Sequence, residues 1–432
     1  MPYRLLLLLS LPLAGLATPA ALKFSFGPTA ARPGFTTVAP DAVFTNDRSF
    51  GFEPGATVTA TADGVTSAEP FYFSATVPAE GNYRVTLTFP GGTHATVKAE
   101  LRRLVLERVT VPAGQTATRT FIVNTRTPKI VATGGIKEGV VKLKAPRESV
   151  QEAWAWDDAI TLEFSGAHPA VSTITLEPVN VPTVFLIGDS TVCDQSKEPF
   201  NSWGQMFPRW FKPAIAIANH AESGETYRDS IGRRRLDKML SVMQPGDWMI
   251  MQFGHNDQKQ IAAGTGGPFT TYKAEIKKHV DAVRAHGGTP IIVSPMERRS
   301  FDDHAKIKPS LTEYAEASRQ AAQELGVAFI DLNALSIPFY EALEAHGADY
   351  SRKAFAGQDN THHQNYGSYE LAKAIVQSIR AQKLPLAKFI VDDFPGFDPA
   401  HPDDVEKFAV PASPNFTNQR PLGDEAVPAP AK

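Results

Sequence analysis

Cysteine is nearly absent. Cys193 stands alone among 432 residues, so no intrachain disulfide and no zinc site built on cysteines can form. A small buried filler is the role left to it. A charge excess of either sign is missing too. Lys and Arg number 43 against 46 Asp and Glu, giving a net charge of −3 without the basic surplus of nucleic-acid binders. No apolar run reaches the roughly 20 residues that a membrane span requires. The longest, Leu5 to Ala17, follows Arg4 and gives way to small residues through Ala21. That is the form of a secretory signal peptide over residues 1–20. A soluble, exported chain is expected, secreted or periplasmic and without a membrane anchor in its mature form. With 42% hydrophobic and 21% charged residues the composition is that of an ordinary globular protein, and the length allows two or three domains.

Two hydrophobic periods divide the chain. Residues 21–181 alternate with period two, as in Tyr83, Val85, Leu87 and Phe89 against Arg84, Thr86 and Thr88. Phe71 to Val77, Val58 to Ala62, Ile160 to Phe164 and Ile174 to Leu176 repeat the pattern, with no convincing helix between them. Short strands separated by Gly, Pro and Asn predict an all-β sandwich. Trp154 and Trp156 close this region; they read as core or interdomain aromatics, with a sugar-stacking platform as the second reading.

Residues 182–391 change to strand, loop and helix. Thr183 to Ile187, Ile215 to Ala218, Trp248 to Phe253, Ile291 to Val293 and Val327 to Ile330 are continuous apolar runs, suited to strands of a parallel sheet buried on both faces. Tyr272, Ile276, Val280 and Val283 mark one helix, and Ser310 with Glu313 reads as a capping box opening the next. The Arg233–Arg235 run reads as an exposed helix face. An α/β sandwich over about five parallel strands follows. Residues 392–432, rich in Pro, Asp and Ala, read as an extended arm or disordered tail.

Functional loops of an open α/β sheet lie beyond the carboxyl ends of its strands. The first strand is followed by Gly188-Asp189-Ser190-Thr191, the second by Asn219-His220-Ala221-Glu222-Ser223-Gly224, and the third by Gly254-His255-Asn256-Asp257. These loops supply a hydroxyl nucleophile, a glycine with a bare backbone N–H and a side-chain amide. Asp359 and His362, three residues apart before the last helix, can pair so that Nε2 faces the serine. This is the equipment of acyl transfer through a Ser-His-Asp triad. A metallohydrolase built on His255, Asp257, Asp359, His362 and His363 is the rival, but the usual zinc-ligand spacing is lacking. No metal and no cofactor are expected.

These four blocks resemble the SGNH (GDSL-type) hydrolases. Gly188-Asp189-Ser190-Thr191-Val192, Trp203-Gly204-Gln205, Gly254-His255-Asn256-Asp257 and Asp359-Asn360-Thr361-His362 are similar to the bacterial two-domain rhamnogalacturonan acetylesterases. The resemblance covers Pro182 to Leu384. It implies a flavodoxin-like three-layer hydrolase domain with Ser190, Asp359 and His362 as triad, and an oxyanion hole formed by Ser190, Gly224 and Asn256. It also implies that the sandwich in front is galactose-binding-like and carries a possible carbohydrate site. Substrate-facing positions would be Trp203, His255, Arg298 and Arg299, the two arginines meeting uronic carboxylates. The family often has Arg after the second-block glycine, where this chain has Glu225. The expected substrate is an acetylated polysaccharide or oligosaccharide, first rhamnogalacturonan or pectin. Acetylxylan or another acetylated carbohydrate comes second, and a non-catalytic polysaccharide-binding protein is the remaining reading.

Overall fold

The computed structural model describes residues 20–27, 32–45, 47–417, 419 and 421. The signal-peptide reading, but for Ala20, lies outside them, as does the end of the tail. Among the described residues no helix is long and apolar enough to cross a membrane.

Two five-stranded sheets make up the front of the molecule. One has the order Ala117–Thr125, Gly81–Phe89, Thr173–Pro178, Leu22–Phe26, Thr36–Val38, and the other Phe50–Phe52, Phe71–Thr76, Ala159–His168, His94–Ala99, Arg103–Thr110. Pairing is antiparallel except between Leu22–Phe26 and Thr36–Val38. Period-two alternation turns Val85, Leu87 and Phe89 of one sheet toward Phe73, Leu162 and Phe164 of the other, in a shared core. Each such side chain, fully buried, contributes about 1.5–3 kcal/mol.

Behind the sandwich runs a separate sheet, of five parallel strands. They are β1 (Thr183–Gly188), β2 (Ala216–Asn219), β3 (Trp248–Gln252), β4 (Thr289–Val293) and β5 (Ala328–Ile330), in the order β2-β1-β3-β4-β5. That is the flavodoxin-like order, and it reverses direction at β1. Helices α1 (Tyr227–Gly232), α2 (Arg235–Val242), α3 (Lys273–Ala285) and α4 (Thr312–Leu325) cover one face. The helices α5 (Leu332–Glu344) and α6 (Asn365–Ala381), with the Trp203–Met206 turn, cover the other. Strands sandwiched this way expose no polar face, which explains their unbroken apolar runs.

Three expectations are corrected, and the extended-arm reading of the C-terminal region is given anchors. Arg234 has φ +63°, so the arginine run is a corner between α1 and α2, and Arg235 is 0% exposed, held by Glu148 and Glu225. Ser310 does not cap α4: its hydroxyl donates to Glu297 Oε2 at 2.8 Å. The front region includes short helical turns, Arg147–Gln151 and Ala153–Ala155. Up to Thr417 the C-terminal arm is pinned: Phe394, Val410 and Ser413 are buried. Trp156 is covered by the Arg126 guanidinium 4.4 Å from its ring, and the Trp154 ring lies 5.3 Å from Tyr72, which favours the core reading.

The arm meets the front sandwich at buried charges. Ser413 Oγ donates to Glu163 Oε2 at 2.7 Å, and Lys98 Nζ donates to Glu163 and to Ser413 Oγ. Ser413 N donates to Glu198 Oε1 at 2.9 Å, and the same carboxylate pairs with Arg102 at 2.5 Å. Glu198 therefore ties the sandwich, the parallel-sheet domain and the arm. Replacing it by alanine leaves the Arg102 cation buried without its carboxylate. The expected loss is about 3–5 kcal/mol in chemical denaturation; a change below 1 kcal/mol would show that the tie is not structural.

Candidate active site

The Ser190, Gly224 and Asn256 blocks sit just past strand ends, and Asp359–His362 sits just before the start of α6. Ser190 follows β1 directly, and Gly188 before it has no room for a side chain: a Cβ there would run into the Gln252 carbonyl and Val192. Gly224, in the loop after β2, has φ +74°, a left-handed conformation that glycine adopts without strain. Asn256 lies in the turn after β3. Since β2 and β3 both flank β1, the three loops are neighbours.

Ser190 Oγ lies 2.8 Å from His362 Nε2, and His362 Nδ1 lies 2.8 Å from Asp359 Oδ2. The other Asp359 oxygen accepts from the backbone N–H groups of Thr361 and His362, which fixes the carboxylate within the turn before α6. Phe200 packs edge-on against the His362 ring at 5.8 Å. Among the described residues, neither the Ser190 nor the Gly224 backbone N–H donates a hydrogen bond. Asn256 Nδ2 donates to the Glu225 carbonyl at 3.2 Å, which ties the amide to the loop of Gly224. The nucleophile candidate is 3% exposed, so the site is a narrow opening.

His363 turns away from the serine. Its Nε2 lies 2.8 Å from the Tyr340 hydroxyl, and burial pushes its pKa down to about 3, so it stays neutral. Cys193 is buried beside Ser223, and burial raises its thiol well above the usual range, as suits a filler rather than a nucleophile. The metal-capable side chains do not converge: among the described residues no group of three or more His, Cys, Asp or Glu could hold an ion.

Of the substrate-facing expectations, most are displaced by burial. Trp203 is 0% exposed, with Nε1 donating to Gln252 Oε1 at 2.8 Å, so it offers a ligand no surface. The neighbouring Gly204 lets that turn press against the Val192 carbonyl, where a Cβ would collide. His255 is enclosed, its Nδ1 3.3 Å from Asp189 Oδ2. Arg299 is buried and paired with Glu344 at 3.1 Å, so its charge is already matched. Arg298 is half-buried and donates to Gln258 and Ser310. Glu225, in place of the family's arginine, is fully buried and accepts from Arg235 Nε at 2.9 Å. It is part of the frame.

Residues that the sequence did not single out hold the site together. Gln195 Nε2 donates to the Ser190 carbonyl at 2.8 Å and to Ser223 Oγ at 3.3 Å. Arg147 Nη2, from the front region, donates to Ser223 Oγ at 2.8 Å, and Lys144 Nζ donates to the Ser223 carbonyl. Both therefore grip the residue immediately before Gly224. Arg147 also pairs with Glu152 at 2.6 Å and lies 3.5 Å from Glu222. Burial, then the charge of Glu152, raises the Glu222 carboxyl well above its usual range, which favours its protonated form in this crowded anionic corner. No local pattern flags Arg147 and Lys144, because their partner Ser223 is 76 and 79 positions away. Beside the triad opens a groove of about 260 Å³ lined by Lys144, Arg147, Gln195, Lys197 and Phe200, with Thr417 of the arm on its edge.

Across residues 186–371 the chain matches the GDSL-like lipase/acylhydrolase family. It is 34% identical over 223 residues to the rhamnogalacturonan acetylesterase RhgT of Bacillus subtilis, covering 48% of this chain and 94% of that one. With the esterase YxiM of the same bacterium it shares 25% identity over 376 residues, or 85% of this chain and 92% of that one. The crystal structure of YxiM superimposes with a TM-score of 0.47 at 21% identity, covering 85% of this chain and 99% of that one. The chain belongs to the GDSL-like lipase/acylhydrolase family.

Proposed function

We propose that the protein is an exported carbohydrate acetylesterase that removes acetyl groups from an acidic, pectic glycan by a Ser-His-Asp mechanism. The observation that carries the reading is the hydrogen-bonded chain Ser190–His362–Asp359 beside two backbone N–H groups without acceptors. His362 Nε2 takes the Ser190 proton as Oγ attacks the acetyl carbonyl carbon. Negative charge developing on the carbonyl oxygen is met by the N–H groups of Ser190 and Gly224 and by the Asn256 amide. His362 then gives its proton to the departing sugar oxygen, leaving acetyl on Ser190. Water attacks that ester with His362 again as base, and acetate leaves as Oγ recovers its proton. Asp359 holds the imidazole in the tautomer this sequence needs.

The polysaccharide is assigned from relatives and from charge. Rhamnogalacturonan acetylesterases of Bacillus subtilis and Emericella nidulans are 34% and 24% identical to this chain over about half its length. Of the cations lining the groove beside the triad, Lys144 and Arg147 are engaged with Ser223, Glu152 and Glu222, which leaves Lys197 as the one suited to a uronic carboxylate.

Ser190→Ala is expected to lower hydrolysis of a chromogenic acetate ester by a factor on the order of 10³–10⁶ while the fold is kept. An organophosphate should label the parent protein at Ser190 and inhibit it. An unlabelled, inactive parent would leave a polysaccharide-binding protein instead. Asn256→Ala should cost about 10²–10³ in kcat, whereas an effect confined to KM would remove the amide from the oxyanion site.

Arg147→Ala should lower kcat on the small ester by about 10–100-fold with little change in KM, because it frees the loop that aims Gly224. Arg147→Lys, which keeps the charge and a donor, should recover part of the loss. Equal loss in both variants, with KM rising, would mean that Arg147 touches substrate rather than positioning the loop.

Activity on acetylated pectic fragments should fall as salt rises, since charges near the surface are screened beyond about 10 Å at 0.1 M. Lys197→Gln should flatten that response and spare the neutral aryl acetate. Preference for acetylated xylan, indifferent to salt, would overturn the pectic assignment and leave the acetylesterase standing.

A further inference from the structure

A second cavity, of about 130 Å³, lies between the front sandwich and the edge strand β2. Glu80, Asn82, Asn124, Arg126, His220 and Lys238 form its polar wall. Glu80, Asn82 and Thr183 also line a wider cleft of about 700 Å³ at the seam of the two domains.

Arg126 is the feature that asks for a ligand. It is 5% exposed, and its Nε and Nη1 are buried without a hydrogen-bond partner among the described residues. Its close contact is the face of Trp156, 4.4 Å away, and His220 meets the same ring edge-on at 5.8 Å. A guanidinium has five N–H donors, and enclosing it without an acceptor leaves its desolvation unmatched.

Nearby carboxylates do not supply the match. Asp194 is held by Arg103 at 2.7 Å and by Asn219 at 2.8 Å. Burial raises the Glu100 carboxyl well above its usual range, which favours the neutral acid. Burial, and then repulsion from Arg103 and Arg235, pushes Arg126 down to about 9. Across the cavity Lys238 Nζ donates to Glu80 at 2.7 Å, and the other Glu80 oxygen takes two hydrogen bonds from Thr127. One positive charge is thus left over on the wall. His220 Nδ1 is buried without a partner as well, and burial keeps that imidazole neutral and able to donate.

We propose that this cavity binds a small oxyanion, of the carboxylate or phosphate class, between Arg126, Lys238 and the Nδ1 edge of His220. Such an ion bridges the sandwich, through Arg126, to β2 and α2, through His220 and Lys238. It stabilises the seam without entering the chemistry at Ser190.

The test uses the full-length protein at pH 7. Its melting temperature is followed while sodium phosphate or sodium acetate replaces a bulky sulfonate salt at constant ionic strength. A saturable rise of a few degrees is expected with at least one of the two ions. Arg126→Gln should abolish the rise. Glu80→Gln, which removes the one carboxylate on the wall, should move its midpoint to at least threefold lower concentration. Isothermal titration of the parent and of Glu80→Gln reads the same affinities should Arg126→Gln fail to fold. A response to phosphate alone selects a tetrahedral ion and a response to acetate alone a planar carboxylate; either supports the site. No ion-specific rise in the parent protein, a rise that survives Arg126→Gln, or no tightening in Glu80→Gln overturns it.

Discussion

Arg147 and Arg235, almost fully enclosed, stand among Glu148, Glu152, Glu222 and Glu225 where the front region meets the loop after β2. Removing one partner from a buried ion pair costs about 3–5 kcal/mol, although replacing the whole set by well-packed apolar residues can be neutral. The value of these charges therefore lies in direction. Arg147 reaches Ser223 Oγ, Arg235 holds Glu225, and Gly224 is the residue between those two anchors. A hydrophobic contact of the same area would bury the loop without fixing where its N–H points. Fixed donors stabilise a developing charge with no reorganisation when it forms, and a loop held from both sides has that property.

A second grip acts on the other wall of the site. The turn between strands His94–Ala99 and Arg103–Thr110 places Glu100 and Arg102 at positive φ, an arrangement that costs non-glycine residues about 1 kcal/mol or more each. In exchange Arg102 Nη1 donates to the carbonyls of Gln195 and Phe200, and Arg103 pairs with Asp194. Gln195 and Phe200 are the residues that touch Ser190 and His362. The sandwich therefore shapes the site from two directions, through the hairpin turn and through residues 144–152. Neither contact is made through an aromatic sugar platform.

The sequence shows most plainly what depends on short-range order. Ser190, Gly224 and Asn256 are legible because each follows an apolar run, and strand ends collect functional loops. The Asp359–His362 contact is legible because three residues on a tight turn cannot place those side chains far apart. Misreadings occur where a distant partner decides. Arg235 looks like one of three solvated cations until a left-handed Arg234 turns it inward onto Glu148, 87 positions earlier. Ser310 has the spacing of a cap, but Glu297 outbids the helix for its hydroxyl by also accepting from the Ser310 and Leu311 N–H groups. The Pro- and Asp-rich arm lacks any period, yet Ser413 finds Glu163 and Glu198. Composition reports the absence of regular structure and says nothing of such anchors.

Dividing the work between two halves answers a problem of the parallel sheet itself. Loops past strand ends are free to vary because the strands do not need them for hydrogen bonding, and the same freedom leaves them loosely placed. The Asp359–His362 turn is self-contained, since its carboxylate is fixed by the Thr361 and His362 N–H groups of its own turn. The loops carrying Gly224 and Gln195 have internal bonds as well, from Ala221 N to Asn219 Oδ1 and from Gln195 Nε2 to the Ser190 carbonyl. They are gripped in addition by Lys144, Arg147, Arg102 and Arg103, all contributed by the chain in front. A substitution far from Ser190 but at one of these cations should therefore act on turnover before it acts on the triad's own geometry. For the same reason the front region counts as part of the site, not as an appendage to it.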